Sequence, residues 1–252
     1  MSTGRPGPFG DPPTVFSFAT IAAILRQRRP LALPSPFLAG LTSARKHDPL
    51  APATVVVPSH VAGIQLRRRL AAEHGAFAGV RFETLPRLAE LLGAGDLAQA
   101  GKSPLARPIG DYLAAEVALE AHAGLSAVRQ LPGFGRVLRQ TFRRLRKGGF
   151  IGPERVPVTL GSGLLGEVVR LYAVYRGLAG AFYDDEDLLD AAATAVNEHR
   201  AEFASDLGDV YVIQPGARST ASERLLTAIR RAVGRSHYHD VADETMTPRS
   251  QV

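Results

Sequence analysis

Cysteine is absent from the 252 residues, which excludes a disulfide scaffold, a thiolate zinc site and a cysteine nucleophile. Lysine is scarce: of the 30 basic residues only Lys46, Lys102 and Lys147 are lysine, and the rest are arginine. No apolar run approaches the roughly 20 residues that a membrane-spanning helix needs. Met1 to Thr14 is rich in glycine and proline rather than basic and then apolar, so no secretory signal is expected and the expected location is the cytoplasm. What is present is a globular composition, 45% hydrophobic and 21% charged, which excludes disorder of the whole chain. The length suits one α/β core, or a core with a helical subdomain. The formal net charge is +6. Arginine forks fit phosphates bidentately, so one reading of this excess is a nucleic-acid partner. An arginine- and alanine-rich coding bias is the other.

Residues 1–14 read as a flexible leader, because seven glycines and prolines there leave no regular element. A helical spacing follows over Val15–Arg28, and then Leu31-Ala32-Leu33, stopped by Pro34 and Pro36. Thr54–Val57 is β-branched and uncharged, as in a strand buried on both faces of a parallel sheet. Ser59 stands where an N-cap belongs, before a helix with Ile64, Leu66 and Leu70 on its apolar side and Gly75 at its end. Val80–Phe82 predicts a second strand, and Thr84 a cap for a helix through Leu85, Leu88, Leu91 and Leu92. This is the β-α-β-α rhythm of a doubly wound sheet.

From about Pro104 the pattern turns helical, over Asp111–Ala123, Gly135–Lys147, Leu164–Phe182 and Glu186–His199. Val156–Leu160 has strand character interrupted by Pro157, and strand character returns at Asp209–Ile213. Thr220–Glu223 then reads as a capping box opening a last helix. The expected organisation is an α/β core over 15–103 and 203–235, a helical insertion over 104–202, and a disordered tail over 236–252.

Four stretches carry a resemblance to a known family. Asp48–Pro52 with Val55–Ser59 and Gln65–Ala71 looks like the second helicase motif of superfamily one. Phe82–Ala89 is similar to the threonine-containing segment that follows it. Pro132-Gly133-Phe134 with the basic helix to Gly149 resembles that family's helical insert. Tyr183–Leu189 before Val210–Ile213 looks like the approach to its Walker B strand. The order resembles the N-terminal helicase-like domain of AddB/RecC-type subunits, which are DNA-repair proteins of the PD-(D/E)XK nuclease group. The resemblance implies a RecA-like parallel sheet with a large all-helical insertion, a role in double-strand-break repair and recombination, and two partners: DNA, and an active helicase-nuclease subunit of AddA/RecB type. It implies no membrane partner.

The departures concern ATP. A phosphate loop needs glycine amides, a lysine and a hydroxyl for magnesium. After Leu31–Leu33 the chain reads Pro34-Ser35-Pro36-Phe37-Leu38-Ala39-Gly40, with two prolines and no lysine. The later strand ends Val212-Ile213-Gln214-Pro215, with no acidic pair to hold a metal. The expectation is a helicase fold without catalysis and without a cofactor, and, since the family's nuclease and second motor domains have no counterpart here, a truncated or split member.

Gly101-Lys102-Ser103 looks like a phosphate-loop ending but lacks the strand–loop–helix context. Gly161–Gly166 is a literal G-x-G-x-x-G and keeps a dinucleotide-binding oxidoreductase open as the alternative function, against close helix packing; an inert structural remnant is the third reading. Asp184, Asp185, Glu186, Asp187 and Asp190 suit the dipole at a helix start as well as a metal. His237-Tyr238-His239-Asp240 has metal-like spacing but no further ligand.

The helix Arg136–Lys147 is expected to present Arg136, Arg139, Arg143, Arg146 and Lys147 away from Val137, Leu138, Thr141, Phe142 and Leu145. These cations, with Arg67, Arg68 and Arg69, are candidate phosphate contacts, the other reading being a solvated basic face. By the resemblance, Ser59, His60 and Thr84 occupy positions from which active relatives touch single-stranded DNA, and Arg87 joins them. No metal-binding or catalytic residue is assigned.

Overall fold

The computed structural model describes residues 35–75, 78–150, 163–213 and 217–240. All of them belong to a unit that begins at Leu33. The helix expected over Val15–Arg28, the apolar run Leu31–Leu33, the strand at Val156–Leu160 and the leader lie outside these residues, as does the chain beyond Asp240.

Four parallel strands form the main sheet, in the order β2 (Val80–Thr84), β1 (Ala53–Val57), β5 (Asp209–Val212), β6 (Tyr238–Asp240). Every residue of β1 is buried, as expected of a β-branched run covered on both faces. Val55 pairs in register with Phe82 and Tyr211, and Val56 with Glu83 and Val212. The pleat therefore sends the two sets of side chains to opposite faces. On the Val55 face lie α1 (Ser35–His47) and α2 (His60–His74). Phe37 of α1 meets the Tyr211 ring edge-on at 5.0 Å, and Gly63 of α2 lies against Phe82 and Val57. On the Val56 face, α3 (Leu85–Gln99), α7 (Asp185–Asn197) and α8 (Thr220–Val233) share one core with Val210 and Val212. Each leucine buried there contributes about 1.5–3 kcal/mol.

Local signals set the boundaries. The Ser59 hydroxyl accepts from the Ala62 amide at 3.2 Å and caps α2; Thr84 does the same for α3 through the Arg87 amide at 3.4 Å. Gly75, at φ +79°, closes α2. Before β5 the chain turns at Gly208, whose φ is +60° and where a Cβ would run into the Pro52 carbonyl. Gly93 serves a different end: a side chain there would overlap the Ala192 backbone, so α3 and α7 touch main chain to main chain.

Between α3 and α7 the chain makes the helical insertion: α4 (Arg107–Leu119), a 3-10 turn at Ala123–Leu125, α5 (Phe134–Lys147) and α6 (Leu164–Leu178). It has its own core of Ala114, Val117, Leu138, Phe142, Leu171 and Tyr172. Its entry and exit are zipped together as a two-residue parallel ladder, β3 (Ser103–Pro104) on β4 (Phe182–Tyr183), extended by the Ser103 and Leu105 amides donating to Ala181 and Tyr183 carbonyls at 3.1 and 2.8 Å.

Three expectations change. The insertion ends at this ladder rather than at residue 202, because α7 buries its leucines and alanines in the sheet core. The tail does not begin at Ser236: Tyr238–Asp240 adds a strand to β5, and Asp240 accepts from both terminal Arg218 nitrogens at 2.6 and 2.8 Å. The cap of α8 is Ser219, accepting from the Ser222 amide at 3.1 Å, one residue before the expected Thr220. Among the described residues no helix is long and apolar enough to cross a membrane.

Candidate nucleic-acid interface

In α5 the buried positions are Leu138, Phe142 and Arg146. A step of four residues keeps all three on one face, so helical period, not charge, decides where Arg146 goes. It is 6% exposed, with its guanidinium 2.5 Å from Asp187 and 3.5 Å from Asp184. Arg176 of α6 reaches the same two carboxylates at 3.0 and 3.5 Å. Burial opposes the charge on Arg146, but Asp184 and Asp187 outweigh it and hold its pKa above the ordinary value. Burial likewise opposes ionisation of Asp187, yet hydrogen bonding from Arg176 and the nearby cations hold its pKa down. The acids also cap α7 reciprocally: the Asp187 amide donates to Asp184 and the Asp184 amide to Asp187, at 2.9 and 3.1 Å. This cluster ties the insertion to the first turn of a core helix.

Arg139 is also withdrawn from solvent, 16% exposed and 2.9 Å from Asp111 of α4. Two of the five α5 cations expected on a solvated face, Arg139 and Arg146, are therefore structural, and that expectation is corrected. Arg136, Arg143 and Lys147 are exposed. Arg143 has one loose partner, Asp185 at 3.8 Å; neither Arg136 nor Lys147 has an ion pair among the described residues. At 1.5 Å rise per residue the three mark a stripe about 16 Å long.

The stripe borders a cleft of about 640 Å³ between the insertion and the core. Arg136, Arg139 and Arg143 of α5 line it, with Arg107 and Asp111 of the adjoining α4, Leu105 and Tyr183 from the neck, and Arg146, Tyr172 and Tyr175 among its other walls. The Tyr172 hydroxyl donates to the Phe150 carbonyl at 3.1 Å, and burial pushes the pKa of both Tyr172 and Tyr175 up. Arg107, Asp111 and the tyrosines carry no sequence signal as site residues; only packing of the insertion brings them together.

The remaining candidates do not line this cleft. Ser59 and Thr84 are engaged as caps, and His60 is exposed at the start of α2. Ser59 and His60 nevertheless follow β1 at the point where the crossovers to β2 and from β5 to β6 run in opposite directions, the switch point where open α/β sheets bind ligands. The Arg67 guanidinium lies over the Phe82 ring, 5.6 Å from its centroid. Arg68 is exposed, Arg69 pairs with Glu73 at 2.7 Å, and Arg87 pairs with Glu90 at 2.7 Å.

Gly101-Lys102-Ser103 is a helix end: the Lys102 amide donates back to Leu97 at 2.9 Å and Ser103 enters β3. That order, helix then strand, is the reverse of a phosphate loop. Of the literal G-x-G-x-x-G, Gly161 and Ser162 lie outside the described residues; Gly163 precedes α6. His237 sits 2.6 Å from Asp209 and His239 stacks on Tyr211 at 4.8 Å, so this stretch is used in holding β6. No cluster of three or more His, Asp or Glu suited to a metal occurs among the described residues. In comparisons with known proteins, no family model matches the chain and no curated protein matches it in sequence.

Proposed function

We propose that this chain is a non-catalytic, cytoplasmic DNA-binding and scaffolding domain of RecA-like descent, working as part of an AddB/RecC-type repair subunit beside an active helicase-nuclease partner. The observation that carries the proposal is the exposed stripe Arg136, Arg143 and Lys147 beside an arginine-lined cleft, on an insertion clamped to a parallel α/β core. Cations at one helix face, held without neutralising partners in close contact, are what a phosphate backbone requires. Arg67 and Arg68 on α2 supply a second exposed group. The missing lysine and acidic pair support the non-catalytic part; ATP hydrolysis by the pure protein, lost in Lys102→Ala, would contradict it.

The test of DNA binding is titration with single-stranded and duplex DNA at several salt concentrations. Affinity falls with salt by a log–log slope of about 0.7 per contact on a single strand and about 0.9 on duplex. Replacing Arg136, Arg143 and Lys147 together by alanine should flatten the slope by about two on a single strand and about three on duplex. An unchanged slope makes the stripe a wet surface. Arg139 and Arg146 are unsuited to this test because their loss disturbs the fold.

A further inference from the structure

The cleft between the insertion and the core has a charge balance that the stripe alone does not explain. Of its guanidinium groups, Arg139 is paired with Asp111 and Arg146 with Asp184 and Asp187. The carboxylate of Glu90 is taken by Arg87 at 2.7 Å. What remains facing the space is Arg136 without an ion pair, Arg143 at 3.8 Å from Asp185, an exposed carboxylate that also lines the cleft, and Arg107, 82% exposed and 3.8 Å from Asp111. Three under-neutralised guanidinium groups from two helices thus share one concavity. The neck contributes Leu105 and the partly buried ring of Tyr183. The volume, about 640 Å³, lies in the range of small-molecule sites, which run from about 300 to 1,000 Å³.

We infer that this cleft binds one nucleotide, with its phosphate on Arg107, Arg136 and Arg143 and its sugar and base against Leu105 and Tyr183. Guanidinium groups bind phosphate oxygens through paired N–H donors, and their charge-assisted bonds are about twice as strong as neutral ones. The apolar neck wall favours a nucleotide over a bare anion, since inorganic phosphate leaves that wall wet. The nucleotide is either a free mononucleotide or the phosphorylated end of a strand; the chemistry recognised is the same. In its second form the inference extends the DNA-binding proposal, and in its first it stands without it.

Calorimetric titration of the full chain with thymidine 5′-monophosphate, inorganic phosphate and a 5′-phosphorylated dT octamer separates these cases. Arg107→Ala and Arg136→Ala are each expected to weaken the nucleotide by tenfold or more. Arg107 is an exposed side chain on the surface of α4, so its loss leaves the fold intact. Arg144→Ala, a cation of α5 that does not line the cleft, is expected to leave binding of the monophosphate unchanged. If the monophosphate binds and follows this pattern, the site takes free nucleotide. If only the octamer binds, and loses affinity in Arg107→Ala but not in Arg144→Ala, the site takes a strand end. Binding of neither, equal losses in all three variants, or inorganic phosphate binding as tightly as the monophosphate overturns the inference. Salt-dependent DNA binding by the stripe, with neither the monophosphate nor the phosphorylated octamer losing affinity in Arg107→Ala, would overturn it while sparing the stripe.

Discussion

Arg146→Met keeps the apolar stem of a buried side chain and removes its charge, which makes it a direct probe of the clamp between insertion and core. Arg146 contacts Asp187 at 2.5 Å and Asp184 at 3.5 Å. At an effective dielectric near 20, unit charges about 4 Å apart attract by about 4 kcal/mol. Against this stands the several kcal/mol spent in desolvating the guanidinium, which the variant recovers. Breaking a buried pair and leaving a bare charge costs about 3–5 kcal/mol. Here the carboxylates are not left bare, because Arg176 still reaches both, so the expected loss falls to about 2–3 kcal/mol. Arg176→Met should cost less, since that side chain is 27% exposed and water can take its place. Urea denaturation monitored by circular dichroism reads the difference as a lower midpoint. Hydrogen exchange should locate it by faster exchange in α5 and α7. If Arg146→Met lies within about 0.5 kcal/mol of the parent, or costs less than Arg176→Met, the cluster is not the clamp and the reasoning fails.

Gly93→Val should destabilise the α3–α7 contact by about 1–3 kcal/mol, the usual cost of overpacking, because its side chain would meet the Ala192 backbone; a midpoint equal to the parent's would show that the two helices can separate freely. Glu167 on α6 accepts from Arg170 at 2.9 Å and from the His122 amide at 2.6 Å, and the Arg170 hydrogen bond leads the effects that hold its carboxyl down to about 2. A carboxyl depressed in the folded state adds stability above its unfolded pKa and loses it as the pH falls toward the folded value. Stability should therefore decline between about pH 4.5 and 2 in the parent, and Glu167→Gln should be less stable at pH 7 with a shallower decline; equal slopes in thermal melts across that range would refute the assignment.

The sequence by itself determined the layers nearest the backbone. An uncharged β-branched run such as Thr54–Val57 has no way to satisfy itself except in the middle of a sheet, and Ser59 and Thr84 cap helices through bonds that span three residues. Gly75 closes a helix for an equally local reason. Four stretches of helical spacing likewise foretold the existence of α4 to α7, though not their allegiance. Tertiary structure alone decided that α7 belongs to the core, because an amphipathic helix declares that it has an apolar face without naming the surface that covers it. It decided that two-residue segments 79 positions apart pair as a neck, and that Tyr238–Asp240 joins the sheet edge, both too short to leave a periodic signal. For the candidate site, the identity of the cations was legible and their fates were not. Arg136 and Arg146 look alike in a list of letters; one faces solvent and the other is buried against Asp184 and Asp187, because ten residues on a helix place their side chains on different sides and only the packed neighbours say which side is inside.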